Sequence, residues 1–275
     1  MNYPGTSGSS SGQVVTGIGI VAMIFIVCLT VEVLYKSIHD ARSRFQTLID
    51  YSADSNSTLL TIHQDASIYS DAQTIGVSMN EATGIEFCYS FFLLVDPNTF
   101  DGTDSYKHVF HKGSASLWPL MGPGVFMHGT ENTMRVVMNT YANPFAHVDI
   151  TNIPINKWLH VVLNCVNNGL DVYINGNLAN RIPFTNTLPY QNFQDLILFS
   201  NVKVTDSNQA LSLENKNFIV SGHFTGKISS LIYARYALSI IEVQNLLNKG
   251  PSLKVITPVM DAPPYLADDW WAQQS

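Results

Sequence analysis

Hydrophobic and polar positions divide this chain into three regimes. Residues 14–31 (VVTGIGIVAMIFIVCLTV) are apolar and uncharged, with no polar face at any helical turn. Extended past Glu32 to Tyr35, the run is long enough to cross a bilayer as one helix. Val14, Ile18, Ile20, Ile24, Phe25, Ile26 and Leu29 form its lipid-facing anchor. Thr16 and Thr30 can return their hydroxyls to helix carbonyls. Residues 1–13 are Gly/Ser-rich, which predicts a flexible head. After the run, Ile38, Arg42, Phe45 and Ile49 keep helical spacing, which predicts a juxtamembrane stalk over 36–57.

From about Leu59 the rhythm becomes that of strands. Ile85, Phe87, Tyr89, Phe91, Leu93 and Val95 alternate along IEFCYSFFLLV, and the intervening positions are largely apolar too, as in a strand inside a sandwich. Short strands follow at Lys107–Lys112, Gly124–His128, Thr133–Asn139 and Ala146–Ile150, separated by Gly, Pro or Asn. Trp158–Val166, Leu170–Ile174 and Leu178–Ile182 form a meander joined by Asn167-Asn168-Gly169 and Asn175-Gly176; Asn-Gly supplies the positive φ angles a two-residue hairpin needs.

The strand Gly226–Tyr236 reads as central, and a helix follows it. Ser239 and Glu242 are spaced as a capping box, Leu238 and Val243 as a hydrophobic staple. Ile240, Val243, Leu246 and Leu247 make its apolar stripe, and Gly250-Pro251 ends it. The predicted architecture is an all-β, two-sheet antiparallel jelly-roll sandwich over 58–251 with one short rim helix, preceded by a single transmembrane helix.

Composition narrows the function. With 13% charged residues and a net charge of −7, nucleic acid is excluded as a partner. The apolar run reads as an anchor and not a cleaved signal, because Met1–Gln13 carries no charge and no small-x-small site follows. Lys36, Arg42 and Arg44 outweigh Glu32 and Asp40 on the C-terminal flank, which puts the large domain on the cytoplasmic side. Cys28 lies in the run, and Cys88 and Cys165 sit in strands as small buried apolar residues, consistent with free thiols. The sequon Asn56-Ser57-Thr58 points to the opposite orientation.

Three passages carry a family resemblance. Lys157-Trp158-Leu159-His160-Val161-Val162 with Leu170-Asp171-Val172-Tyr173-Ile174-Asn175-Gly176 is similar to the core motif of concanavalin A-like domains of the laminin-G and pentraxin type. Gly226-Lys227-Ile228 through Tyr233, Ala237-Leu238-Ser239, Glu242 and Gly250 is similar to that family's closing element. Phe87–Val95 with Val109-Phe110-His111-Lys112-Gly113 resembles its opening. The resemblance spans 58–251 and implies a sandwich used elsewhere as lectin, glucanase, adhesion module or spacer.

Retaining glucanases of that fold need two carboxylates on one strand face, spaced Glu-x-Asp-x-x-Glu. Here Glu81, Glu86, Glu131, Glu214 and Glu242 stand isolated, so the chain is expected to be non-enzymatic. A calcium lectin needs clustered oxygens, and Asp96, Asn98, Asp101 and Asp104 are the local candidates, with turn chemistry the competing account. His108, His111, His128, His147 and His160 lack zinc spacing, and His160 reads as a packing residue. No cofactor is expected.

Trp118 is a candidate exposed contact, whereas Trp158 matches a core position of the family. The tail, 252–275, has three prolines and carries Trp270-Trp271 near its end; with Tyr265 these are candidate partner contacts. A single anchor, free thiols and a cytoplasm-facing sandwich resemble the organisation of membrane-anchored minor capsid proteins of large icosahedral DNA viruses. That resemblance implies a virion protein linking an internal membrane to coat proteins in the outer shell. The alternative is a cell-surface lectin, for which the partner is carbohydrate.

Overall fold

The apolar run forms one helix, α1 (Ser10–Arg44), in a computed structural model that describes residues 10–56, 60–78, 85–204 and 218–254. Its 24 residues Val14–Ser37 are long and apolar enough to cross a membrane, and none of that stretch is buried against the rest of the chain. Val14, Ile18, Ile20, Ile24, Phe25, Ile26 and Leu29 are all exposed. Thr30 Oγ1 donates to Val27 O at 2.8 Å, and Lys36 pairs with Glu32 one turn away at 2.6 Å. An apolar surface on every side of a helix is stable only against other apolar matter. The chain divides into two compact units, Met1–Phe45 and Gln46–Ser275.

The second unit is a β-sandwich. Its strands are β1 (Phe45–Asp54), β2 (Leu60–Ile62), β3 (Phe87–Val95), β4 (Tyr106–Lys112), β5 (Gly124–His128), β6 (Thr133–Met138), β7 (Ala146–Thr151), β8 (Trp158–Val166), β9 (Gly169–Ile174), β10 (Asn177–Pro183), β11 (Leu196–Leu198) and β12 (Gly226–Ala234). One sheet runs β1-β12-β3-β8-β9-β10 and the other β2-β11-β4-β5-β6-β7. The meander β8-β9-β10 turns at Asn175 (φ 49°) and Gly176 (φ 79°), the left-handed pair the sequence predicts.

The expected stalk is corrected here: Phe45 and Ile49 lie in a strand, and the sandwich begins at 45, not 58. Helical spacing at Phe45 and Ile49 is overridden by burial of Leu48 and Ile49 in the core and by pairing with β12. Ser55 N donates to Gly226 O at 2.9 Å where that pairing ends.

Phe91 and Phe110 meet edge-on at 5.0 Å between the sheets, inside a core that includes Leu93, Val125, Met127, Val136 and Leu163. Both outer faces are also filled. On β5 and β6, Phe126 and Val137 alternate with core residues and therefore point outward; they join Tyr106, Leu117, Met121, Phe145 and Phe218 in a second apolar cluster. On the other sheet, α2 (Ile240–Lys249) lies over Asn164, whose side chain bonds both Leu238 N (2.8 Å) and Leu238 O (3.1 Å). Ser239 and Glu242 close the capping box, and Val243 and Leu246 are buried. Ile240, expected in the apolar stripe, is exposed because the cap turns the first helical residue away from the sheet. Cys88 and Cys165 are buried and free.

Candidate functional site

The end of the sandwich where β1 begins carries the most chemistry. Beyond β2, the loop 63–78 folds back across both sheets. His63 Nδ1 lies 3.0 Å from Asp195 Oδ2, and the Tyr69 ring stacks on His63 at 3.5 Å with an interplanar angle of 4°. Asp195 Oδ1 accepts Gln64 N at 2.9 Å. Gln64 is buried, and its amide is used up: Oε1 accepts Ile75 N, and Nε2 donates to Ile62 O and Gln73 O. Tyr233 Oη donates to Gly76 O at 2.7 Å and accepts from Gln191 Nε2, so the loop 184–195 is pinned to the same place. Gln46 Nε2 donates to Thr74 O at 3.0 Å, which ties this loop to the start of β1.

Between the loops lies an open groove of about 390 Å³ lined by Gln64, Asp65, Ser67, Thr74, Ile75 and Phe193. Phe193 is 72% exposed and Ile68 70%. Behind it, Lys112 Nζ donates to Gln194 O at 2.6 Å; burial pushes its ammonium down to about 8, partly opposed by Asp195. The groove presents an aromatic face and loop hydroxyls, while its histidine, glutamine and lysine are committed to holding the loops.

Two other clusters are structural. His108 Nδ1 accepts Ser200 N at 2.9 Å, so its Nε2 carries the proton and donates to His111 Nδ1 at 2.7 Å; His111 Nε2 then donates to Ser114 O. Both rings are neutral, and burial holds His108 well below the usual range and His111 at about 4. His160, buried beside Phe92 and 2.8 Å from Ser90 Oγ, is likewise held at about 4 by burial. It is a packing residue, as its alternation predicts.

The carboxylate loop beyond β3 resolves into turns and an ion pair. Asp96 Oδ1 accepts Asn98 N and caps the short 3₁₀ turn over Pro97–Thr99. Asp104 sits 3.1 Å from His128. Asp101 accepts Thr103 N and pairs with Lys107 Nζ at 2.6 Å. Lys107 is buried, and Thr103 Oγ1 (2.7 Å), Ser221 O (3.0 Å) and Ser105 Oγ (3.4 Å) complete its cage. Burial opposes the Asp101 charge, but Lys107 and Thr103 outweigh it and hold the carboxyl at about 2. Gly222 (φ 84°) is required here, since a Cβ would stand 2.5 Å from the ammonium. Among the described residues, no three of His, Cys, Asp or Glu are placed to share a metal ion, so the four candidates do not converge.

Trp118 is partly buried, packed against the second apolar cluster, which draws the loop 114–123 onto the sheet. Trp158 is only half-buried at its strand end. Tyr265, Trp270 and Trp271, together with Glu81, Glu214, Ser57, Thr58 and head residues 1–9, lie outside the described residues. The rim Ile68, Tyr69 and Phe193 was missed by sequence reading. An apolar residue in a loop looks the same in sequence whether it faces core or water.

No protein-family model and no curated protein matches the chain. Solved structures do. The receptor binding domain of a botulinum neurotoxin C/D mosaic serotype superposes with TM-score 0.50 at 10% identity, covering 74% of this chain and 44% of that one. The binding domain of Paraclostridial Mosquitocidal Protein 1 gives 0.48 at 17% identity (75% and 46%), and the botulinum neurotoxin serotype G binding domain 0.49 at 14% (71% and 41%). The chain thus spans less than half the length of the structures it matches. At such identity the likeness is one of fold: a two-sheet β-sandwich.

Proposed function

We propose that this chain is a non-enzymatic structural protein that crosses a membrane once through α1 and holds protein partners with its sandwich. The observation that carries this reading is α1 itself, whose 24-residue stretch Val14–Ser37 is apolar enough to cross a membrane and unburied, with Phe45, the first residue of β1, directly after the helix's last residue. Two filled sheet faces support the absence of catalysis, because the second apolar cluster and α2 occupy the surfaces over which a substrate cleft could open. The minor capsid role, with coat proteins as partners and the sandwich on the cytoplasmic face, rests on the organisation of the sequence and the charges of Lys36, Arg42 and Arg44. Cross-linking mass spectrometry on native membranes or particles tests it: links to a coat protein are expected, and links confined to the chain itself would reject it.

A cell-surface lectin is the second reading, favoured by the groove beside Phe193 with its neighbouring Asp65 and Ser67. A glycan on Asn56 separates the two, because only a lumenal or extracellular domain meets the glycosylation machinery.

A further inference from the structure

Six exposed apolar side chains of the sandwich, Ile68, Tyr69, Val77, Tyr141, Leu188 and Phe193, belong to loops at one end, whereas Ile155, Leu178, Ile240, Ile241 and Leu253 are exposed singly or in pairs elsewhere. The hydrogen bonds show why the six share one end. Tyr141 N donates to Leu188 O, Tyr190 N to Asn139 O, and Ser78 N to Gln191 Oε1, so the loops 63–78, 139–143 and 184–195 are stitched together. This is also the end where the chain enters the sandwich: β1 starts one residue after α1 stops, and Gln46 bonds Thr74 O in the wall of the groove.

We propose that this apolar rim is a second membrane contact, seating the sandwich on the surface of the bilayer that α1 crosses. The inference rests on the reading of α1 as a span. A contiguous apolar surface is costly to leave in water, and Ile, Tyr and Phe are residues that settle at the bilayer interface. Proximity to the span selects lipid over other occupants, since only residues 38–44, the end of α1, lie between Ser37, where the span ends, and Phe45. The charge on the rim selects the kind of contact. Asp65 and Asp71 are exposed there, Lys112 is buried behind the groove, and the Arg235 guanidinium is turned onto the loop backbone, its Nε donating to Val77 O at 2.8 Å. The contact is therefore insertion of apolar side chains, not attraction to anionic headgroups, and zwitterionic lipid is sufficient.

The test uses the full chain carrying Cys28→Ala, reconstituted into phosphatidylcholine vesicles with brominated acyl chains. A fluorophore is placed at Ala66→Cys, in the groove wall beside Ile68; Cys88 and Cys165 are buried and stay unlabelled. A control label goes at Ile155→Cys, at the far end, where Asn156 N bonds Val95 O. That end is about 26 Å from Phe87 along β3. Expected are quenching at 66, none at 155, loss of the quenching at 66 in the exposed-residue variant Ile68→Ser with Phe193→Ser, and no gain on adding phosphatidylserine. Equal signals at 66 and 155 in vesicles that retain the chain would overturn the rim contact alone. A chain that does not float with vesicles would overturn the span and the rim contact together.

Discussion

Replacing Lys107 by Met keeps the length and volume of the side chain and removes the ammonium from its cage. Four oxygens then lose their donor: Asp101 Oδ2, Thr103 Oγ1, Ser105 Oγ and Ser221 O. The Asp101 side chain is 42% exposed, so water can reclaim its charge, and the cost is about 2 kcal/mol. Asp101→Asn is the harsher change, because the Lys107 side chain is only 1% exposed and its charge would be left buried without a counter-ion, at about 3–5 kcal/mol. The double variant leaves neither orphan, so its cost is expected to fall short of the sum by more than about 1 kcal/mol. Urea unfolding of the four proteins in detergent at pH 7, followed by far-ultraviolet circular dichroism, measures the cycle. Additive losses, or a Lys107→Met loss exceeding that of Asp101→Asn, would refute the reasoning from burial.

Acid should weaken the sandwich at a predictable pH. His111 and His160 are held at about 4 against an ordinary 6.5, so the unfolded chain binds protons first. Stability is full above about 6.5 and is lost as pH falls toward 4, by about 2.5 kcal/mol per ring at pH 4.5. Thermal unfolding between pH 7 and 4.5 checks this, and a flat profile would contradict the neutral, buried assignment. Asn164→Leu removes both bonds to Leu238 and should cost about 2–3 kcal/mol and loosen α2, seen as faster amide exchange at Val243 and Leu246. Phe25→Asp puts a charge in the middle of the apolar stretch and should shift the chain from the vesicle to the soluble fraction in flotation.

Much of the fold is legible in the sequence because local and global preferences agree there. The β8-β9-β10 meander is marked by its Asn-Gly turn, and α2 by its capping box. Agreement fails where elements are short or two periodicities coexist. β2 and β11 have three residues each, too few to show alternation. β1 satisfies a helical spacing at Phe45 and Ile49, and only its pairing with β12 decides the outcome. The carboxylate loop was legible as turns, but not as the counter-ion of a buried lysine, since lysine in a strand is ordinarily expected at the surface. The second apolar cluster draws on segments as distant as Tyr106 and Phe218, a separation no periodicity reveals.

The same packing restricts how this sandwich can meet anything else. One sheet face is taken by α2 and the other by the second apolar cluster. One lateral edge is drawn shut where Asn180 Nδ2 reaches Asp149 O from β10 to β7. At the other edge Ser252 Oγ donates to Asp50 O and Lys254 pairs with Asp50, so β1 is covered by the chain that leaves α2. Recognition is left to the two ends. If the apolar rim takes the membrane end, the partner-facing end is the one built from the Asp96–Asp104 loop, Trp158 and the start of β12. Among the described residues, Lys157, Lys203 and Lys227 are the cross-linkable amines there, none of them buried. Links to a partner protein should therefore concentrate on Lys157, Lys203 and Lys227 in native membranes. A pattern dominated by Lys36, beside the span, would reverse the polarity assigned to the sandwich.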